Sequence, residues 1–139
     1  MNAVPLCHEG AVFCLSSRQI DIYWDRFAHH IERFCRETGE AEVEQLRSDL
    51  RETKKQFWGF DDGEKISFVC LTAIDGPLCW LWVCCGTESW PGQIERGLAE
   101  IEQWAKSVQC KRLKLRGRPG WERRLEGFTR TAVILEKEI

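Results

Sequence analysis

Apolar residues recur along this chain with two different periods, and the alternation between them sets out the elements. Residues 11–15 form a short apolar segment that suits a first strand. Ser16 then offers a helix N-cap, with Gln19 at the capping-box spacing. Beyond it Ile20, Tyr23, Trp24, Phe27, Ile31, Phe34 and Cys35 recur at three- and four-residue steps, which predicts a long helix with one aromatic-rich stripe, ended by Gly39. A second helix over 42–54 keeps only Val43, Leu46 and Leu50 for burial and is otherwise charged, so it belongs on the surface. Residues 56–60 and 65–74 read as the arms of a hairpin around Asp61-Asp62-Gly63-Glu64. After Asp75-Gly76-Pro77 comes a nearly unbroken apolar run, 78–85, the pattern of a strand covered on both faces and therefore expected at the centre of the sheet.

A helix over 93–108 follows, burying Ile94, Leu98, Ile101, Ala105 and Val108. Leu113 and Leu115 then alternate with Arg112, Lys114 and Arg116, the period of a half-buried strand. Gly-Arg-Pro-Gly breaks that strand, 121–126 can make a short helix, Gly127 stops it, and 129–136 reads as a closing strand. The order is strand, helix, helix, three antiparallel strands, helix, strand, helix, strand. It predicts one α/β domain over 1–139, a mixed and mostly antiparallel sheet with helices on both faces.

Composition narrows the class without naming a function. The longest apolar run is far shorter than the roughly 20 residues a bilayer-spanning helix needs, and the amino terminus lacks a basic region followed by an apolar one, so a cytoplasmic protein with no membrane partner is expected. Eight cysteines at 7, 14, 35, 70, 79, 84, 85 and 110 contain no C-x-x-C pair, which argues for packed thiols and no metal site. A net charge of -2 conceals an acidic half, 37–64, and a basic one, 111–130. Such polarity can steer an anion or dock a complementary surface.

The element order resembles the GNAT acyltransferase fold. The central strand 78–85, the long helix after it, and the ending from Cys110 with Gly127-Phe128 opening the last strand carry the resemblance. The ending RPGW…GF…AVILEKE is also similar to small GNAT-like proteins of tailed bacteriophages, some found in or beside virion genes. The family resemblance implies that the central strands splay apart and that acetyl-coenzyme A enters between them. Carried over here, the backbone at Val83, Cys84, Cys85 and Gly86 would grip the pantetheine arm, Arg96 would meet phosphate, and Glu88 would serve as general base.

Two features depart from the family pattern. The family's phosphate loop, R/Q-x-x-G-x-G/A, is not matched by GTESWPGQIERG: Gly97 follows Gln93 by four residues, Pro91 removes an amide, and Glu88 adds negative charge where phosphates would sit. The tyrosine expected four residues before Gly-Phe, which can protonate a departing thiolate, is Arg123, and a guanidinium holds its proton too tightly for that task. Tyr23 belongs to the first helix stripe, and the adjacent His29 and His30 cannot both face one ligand from a helix.

Three functions remain open on this reading. One is a GNAT-like protein without a cofactor that acts as a binding or assembly component, in a phage particle or its assembly, through Arg112, Lys114, Arg116 and Arg118 and the turn aromatics Trp90 and Trp121. Its partner would be another protein or a second copy, and its location virion-associated in an infected host. The second is an acetyl-coenzyme A-dependent N-acyltransferase. The third is nucleic-acid binding through the same basic stripe, which can meet phosphates but specifies no base.

Overall fold

The computed structural model describes residues 12–61, 65–116 and 120–139. Five strands form one sheet in the order β1-β2-β3-β4-β5: Phe13–Leu15, Gln56–Asp61, Ile66–Asp75, Leu78–Gly86 and Arg112–Leu115. The first four pair antiparallel, and β5 runs parallel to β4. Helices α1 (Ser17–Thr38) and α2 (Val43–Arg51) cover one face, while α3 (Gln93–Ser107) and the single turn α4 (Gly120–Arg124) cover the other.

The first helix forms as its sequence dictates. Ser16 is extended, the Gln19 side-chain oxygen accepts from the Ser16 amide at 2.9 Å, and Gly39 closes the far end in the left-handed conformation. Its stripe delivers Ile20, Tyr23, Trp24, Phe27 and Ile31 to a core completed by Leu46, Leu50, Phe57, Val69 and Leu71. The opposite core joins Trp58, Phe60, Phe68, Cys70 and Leu81 to Ile94, Leu98, Ile101 and Leu125. Thiols that line these layers behave as packed apolar groups: Cys70, Cys79 and Cys110 are buried, and burial pushes Cys79 up to about 12. Among the described residues no cluster can hold a metal, and no helix is long and apolar enough to cross a membrane.

Two expectations about the sheet are corrected. The central strand is β3, whose burial is continuous from Ile66 to Thr72, whereas burial on β4 alternates as far as Val83. Trp80 and Trp82 explain the difference: they point to the α1 side, where Lys114 lies over Trp80 at 5.3 Å and Lys55 and Arg116 lie over Trp82 at 5.8 Å, so a wet cationic rim covers an apolar-looking face. The second correction concerns the end of the chain. Residues 128–139 form no strand; α4 ends at Arg124, Gly127 turns with a φ of 82°, and everything beyond Phe128 is exposed. Exposure also falls on Val108, just past the end of α3.

The turn from α2 into β2 rests on one buried carboxylate. Asp49 accepts from Lys55 at 2.8 Å and from Gln45 at 2.9 Å, and its own carbonyl accepts from the Lys54 amide at 2.8 Å. Burial pushes its carboxyl up, but the bonds from Lys55 and Gln45 outweigh it and hold it below the usual range. A lowered folded value means that the stabilisation is present above the unfolded value of 3.8 and is lost as pH falls through the folded one. Asp49→Asn is therefore expected to lose about 2 kcal/mol at pH 7, with the gap to the parent protein shrinking below pH 3.8. Denaturant midpoints across that range measure it, and a pH-independent gap would refute the assignment.

Candidate functional site

Strands β4 and β5 keep company for only four residues, from the Leu78–Arg112 pair to the Leu81–Leu115 pair. Beyond Leu81, β4 runs on to Gly86 while β5 stops, so the edge of β4 from Trp82 to Gly86 has no strand beside it among the described residues. Unpaired backbone groups of this kind are available to a ligand.

The same stretch is deformed on its other side. Val69 and Leu71, two steps apart on β3, face Cys85 and Trp82, which are three steps apart on β4. The extra residue is a bulge, and Val83 within it takes a φ of 48°, an outlier for a β-branched side chain. The bulge turns Val83 into the α1-side core next to Trp82, sends Cys84 to the opposite face 3.6 Å from the Cys70 sulfur, and returns Cys85 to the α1 side. Gly86 ends the strand with a φ of 115°, close against the Ser67 carbonyl. Sequence periodicity missed the bulge because every residue from Leu78 to Cys85 is apolar, so no alternation existed to be interrupted.

The loop from Thr87 to Gly92 is tied to the protein itself. The Thr87 amide donates to the Ser67 carbonyl at 2.9 Å, the hydroxyls of Ser67 and Ser89 meet at 2.7 Å, and the Ser89 amide donates to the Gln93 side chain at 2.7 Å. Gln93 is buried, and its amide nitrogen donates to the Asp61 carbonyl at 3.3 Å. Glu88 completes the closure. Its Oε2 accepts from the Ile94 amide in the first turn of α3 at 3.2 Å and pairs with Arg124 at 2.8 Å. Arg124 also bonds Glu95 at 2.9 Å, so two carboxylates and one guanidinium stand at the start of α3. The Arg124 bond holds the Glu95 carboxyl below its usual range, and Glu95 raises Arg124 in turn.

The expected site residues therefore separate. Val83, Cys84, Cys85 and Gly86 lie together on the open, bulged edge, and Glu88 adjoins them as a helix cap with an ion pair. Arg96 is exposed on α3. Gly97 is a packing glycine: an added Cβ would stand 2.3 Å from the ring of Phe60. Arg123 is exposed at the end of α4, and Tyr23 is core. His30 is also spent on structure, bonded to the Ile66 carbonyl at 3.0 Å with its pKa lowered chiefly by burial. Trp121, named as a candidate partner contact, is half-buried beside the second core, edge-on to Phe68 at 6.3 Å with Arg124 5.6 Å above it. Trp90 is 40% exposed in the loop. Of the basic stripe, Arg112 is exposed, Lys114 lies over Trp80, Arg116 pairs with Glu40 at 3.3 Å, and Arg118 falls outside the described residues. Arg124 was the residue the sequence did not single out. A cation one turn before Gly127 gave a weak signal, and its two acidic partners come from a segment about thirty residues earlier.

No protein-family model matches the chain, and no curated protein sequence does. Solved structures do match. An aminoglycoside acetyltransferase from an uncultured soil metagenomic sample, solved in complex with sisomicin, superposes with a TM-score of 0.70 over 92% of this chain and 94% of that one, at 10% identity. A GCN5-related N-acetyltransferase from Ralstonia eutropha JMP134 gives 0.65 over 91% and 97%, at 12% identity. The fold is that of the GCN5-related N-acetyltransferases. A predicted acetyltransferase from Clostridium acetobutylicum, solved with acetyl-CoA, gives 0.61 over 91% and 94%, at 14% identity. This architecture agrees with the GNAT fold that the element order resembles, although the closing strand expected at 129–136 is not formed.

Proposed function

We propose that this chain is a non-catalytic binding member of the acetyltransferase-like proteins, one whose cofactor cradle is filled by its own side chain. The observation that carries the reading is the Glu88 carboxylate on the Ile94 amide, at the start of α3, with Arg124 paired to it. A helix amino terminus attracts a phosphate through free amides and a positive field. Here the carboxylate already takes an amide, the Ser89 amide is given to Gln93, and Pro91 has none to give. Two carboxylates and a guanidinium already pair there, so a pyrophosphate would have to displace a formed ion pair.

The missing acid supports the same reading. Arg123 occupies the position where the family resemblance calls for a tyrosine. Glu88, the candidate base, is bonded on one oxygen to both a main-chain amide and a guanidinium, which gives that carboxylate a structural task in closing the loop onto α3.

An acetyl-CoA-dependent N-acyltransferase is the second reading. The unpaired, bulged edge from Trp82 to Gly86 favours it, because that is where the resemblance seats the pantetheine arm. Nucleic-acid binding is weaker, since Lys114 and Arg116 are already held against Trp80 and Glu40. A setting in a phage particle rests on the ending RPGW…GF…AVILEKE alone.

Thermal unfolding with acetyl-CoA separates the first two. A ligand at about 100 times its Kd stabilises a fold by roughly 2.7 kcal/mol, which moves the midpoint by several degrees. The expected result is no shift at millimolar acetyl-CoA for the parent protein and a measurable one for Glu88→Ala, which frees the Ile94 amide and removes a charge. A shift in the parent protein accompanied by acetyl transfer to an amine would overturn the non-catalytic reading.

A further inference from the structure

The bulge on β4 does more than turn Val83 into the core. Between the pairs Val69–Cys85 and Leu71–Trp82, β3 has one residue, Cys70, and β4 has two, Val83 and Cys84. Side chains alternate along a strand, so in a regular ladder the residue next to Trp82 would stand opposite Cys70, and that residue is a valine. The extra residue keeps Val83 on the α1 side with Trp82 and delivers Cys84 to the α3 side instead. Cys70 points the same way, and the two sulfurs lie 3.6 Å apart with the Cys84 thiol donating. Cys85 returns to the α1 side, away from both.

The pair combines reach with shelter. Cys70 is fully buried, whereas Cys84 is half-buried on the stretch of β4 beyond Leu81 that has no strand beside it among the described residues. A small oxidant therefore meets Cys84 before Cys70. The bond from Cys84 and burial push the Cys70 thiol well above its ordinary range, which also keeps it from ionising first. A disulfide holds its sulfurs at about 2.0 Å, so from 3.6 Å each sulfur has less than about 1 Å to move.

We propose that Cys70 and Cys84 are an oxidisable pair, joined into a disulfide by hydrogen peroxide, and that the bond locks the bulge of β4 onto β3. The Cys84 sulfur attacks one oxygen of the peroxide, the O–O bond breaks, and the second oxygen leaves as hydroxide and takes the Cys84 proton to become water. The Cys70 sulfur then attacks the Cys84 sulfur, the S–O bond breaks, and the departing hydroxide takes the Cys70 proton as a second water. Two thiols and one peroxide thus become one disulfide and two waters, the sulfurs oxidised and the peroxide oxygens reduced. The bond joins residues 14 apart in the β3–β4 hairpin, a covalent rung where the ladder between the two strands is interrupted. The inference does not depend on how the α3 cradle is occupied, and none of its readouts involves acetyl-CoA.

Peptide mapping by mass spectrometry is the first measurement, on the folded full chain exposed to micromolar hydrogen peroxide and quenched in acid. A loss of two hydrogens and a fragment joining Cys70 to Cys84 are expected, both reversed by dithiothreitol. Oxidation is expected to raise the melting midpoint by several degrees, since the bond closes a loop in the unfolded chain, and to slow amide exchange from Trp82 to Gly86. Cys84→Ser, at a half-buried position, is expected to slow the loss of the Cys70 thiol at least tenfold, while Cys14→Ser, at an exposed one, leaves that loss unchanged. Cys70→Ala is expected to let Cys84 run on to the sulfinic acid, a gain of two oxygens. A parent protein that stays reduced, or one in which Cys84 gains oxygens without a bond to Cys70, would overturn the proposal. A bond linking Cys79 to Cys110 or Cys84 to Cys85 in its place would do the same, as would a Cys70–Cys84 disulfide that leaves the midpoint and the exchange unchanged or lowers the midpoint.

Discussion

Gly86→Ala is expected to be among the most damaging single changes in this protein, lowering stability by about 4 kcal/mol. The residue holds a φ of 115°, where an L side chain is strained. A Cβ there would stand 2.2 Å from the Ser67 carbonyl oxygen and 2.8 Å from the Phe68 Cα. Neither atom can yield cheaply, because Phe68 pairs directly with Gly86 across β3–β4 and the Ser67 carbonyl accepts from the Thr87 amide at 2.9 Å. Strain of this kind costs about 1–3 kcal/mol, and the main-chain collision adds to it. The effect also reaches the candidate site, since displacing Ser67 releases both its bond to Thr87 and its contact with Ser89, which together hold the loop bearing Glu88. The expected result is a melting midpoint lower by roughly 10 °C, with faster amide exchange from Thr87 to Gln93. A loss under 1 kcal/mol would show that the end of β4 is not held as tightly as its geometry requires.

Phe27→Ala is expected to cost about 3–5 kcal/mol, the range for a large aromatic deleted from a packed core. Phe27 is fully buried on the α1 stripe, 4.1 Å from the ring of Phe57 and edge-on to Trp24 at 5.3 Å. It couples the longest helix to β2, one strand away from the bulged pair. Phe27→Leu, which keeps most of the volume, is expected to recover at least half of the loss. Equilibrium unfolding in denaturant reads both variants. Equal losses for leucine and alanine would show that ring contacts, not filled volume, dominate there.

Much of this fold was legible because its elements are marked locally. Ser16, Gln19 and Gly39 bracket α1 through bonds made within a few residues, and the stripe between them fixes the buried face. The hairpin strands, α3, β5 and the short α4 follow from periods and turn residues in the same way. Even the departures from the family's phosphate loop were readable, since Pro91 and Glu88 act on amides only a few residues away.

Other features depend on partners that a linear pattern does not contain. Which apolar strand is central was decided by the pairing order of the sheet, and the half-buried face of β4 by cations from Lys55 and from Lys114 and Arg116, segments far apart in sequence. The closing strand was predicted from β propensity in 129–136, but a strand exists only when another edge bonds it, and within one chain none does among the described residues. Glu88 shows the same division. Its sequence position fixed a negative charge near the start of α3, a local fact; the pairing with Arg124 that makes it a fixture required α4 to dock against α3. The sequence by itself determined the elements, their order and the chemistry missing from the loop, because those are settled by neighbours along the chain. Only the tertiary structure decided the bulge at Val83, the occupant of the α3 amino terminus and the exposed tail, because each is a contact between segments that meet only when the sheet and its two helical layers assemble.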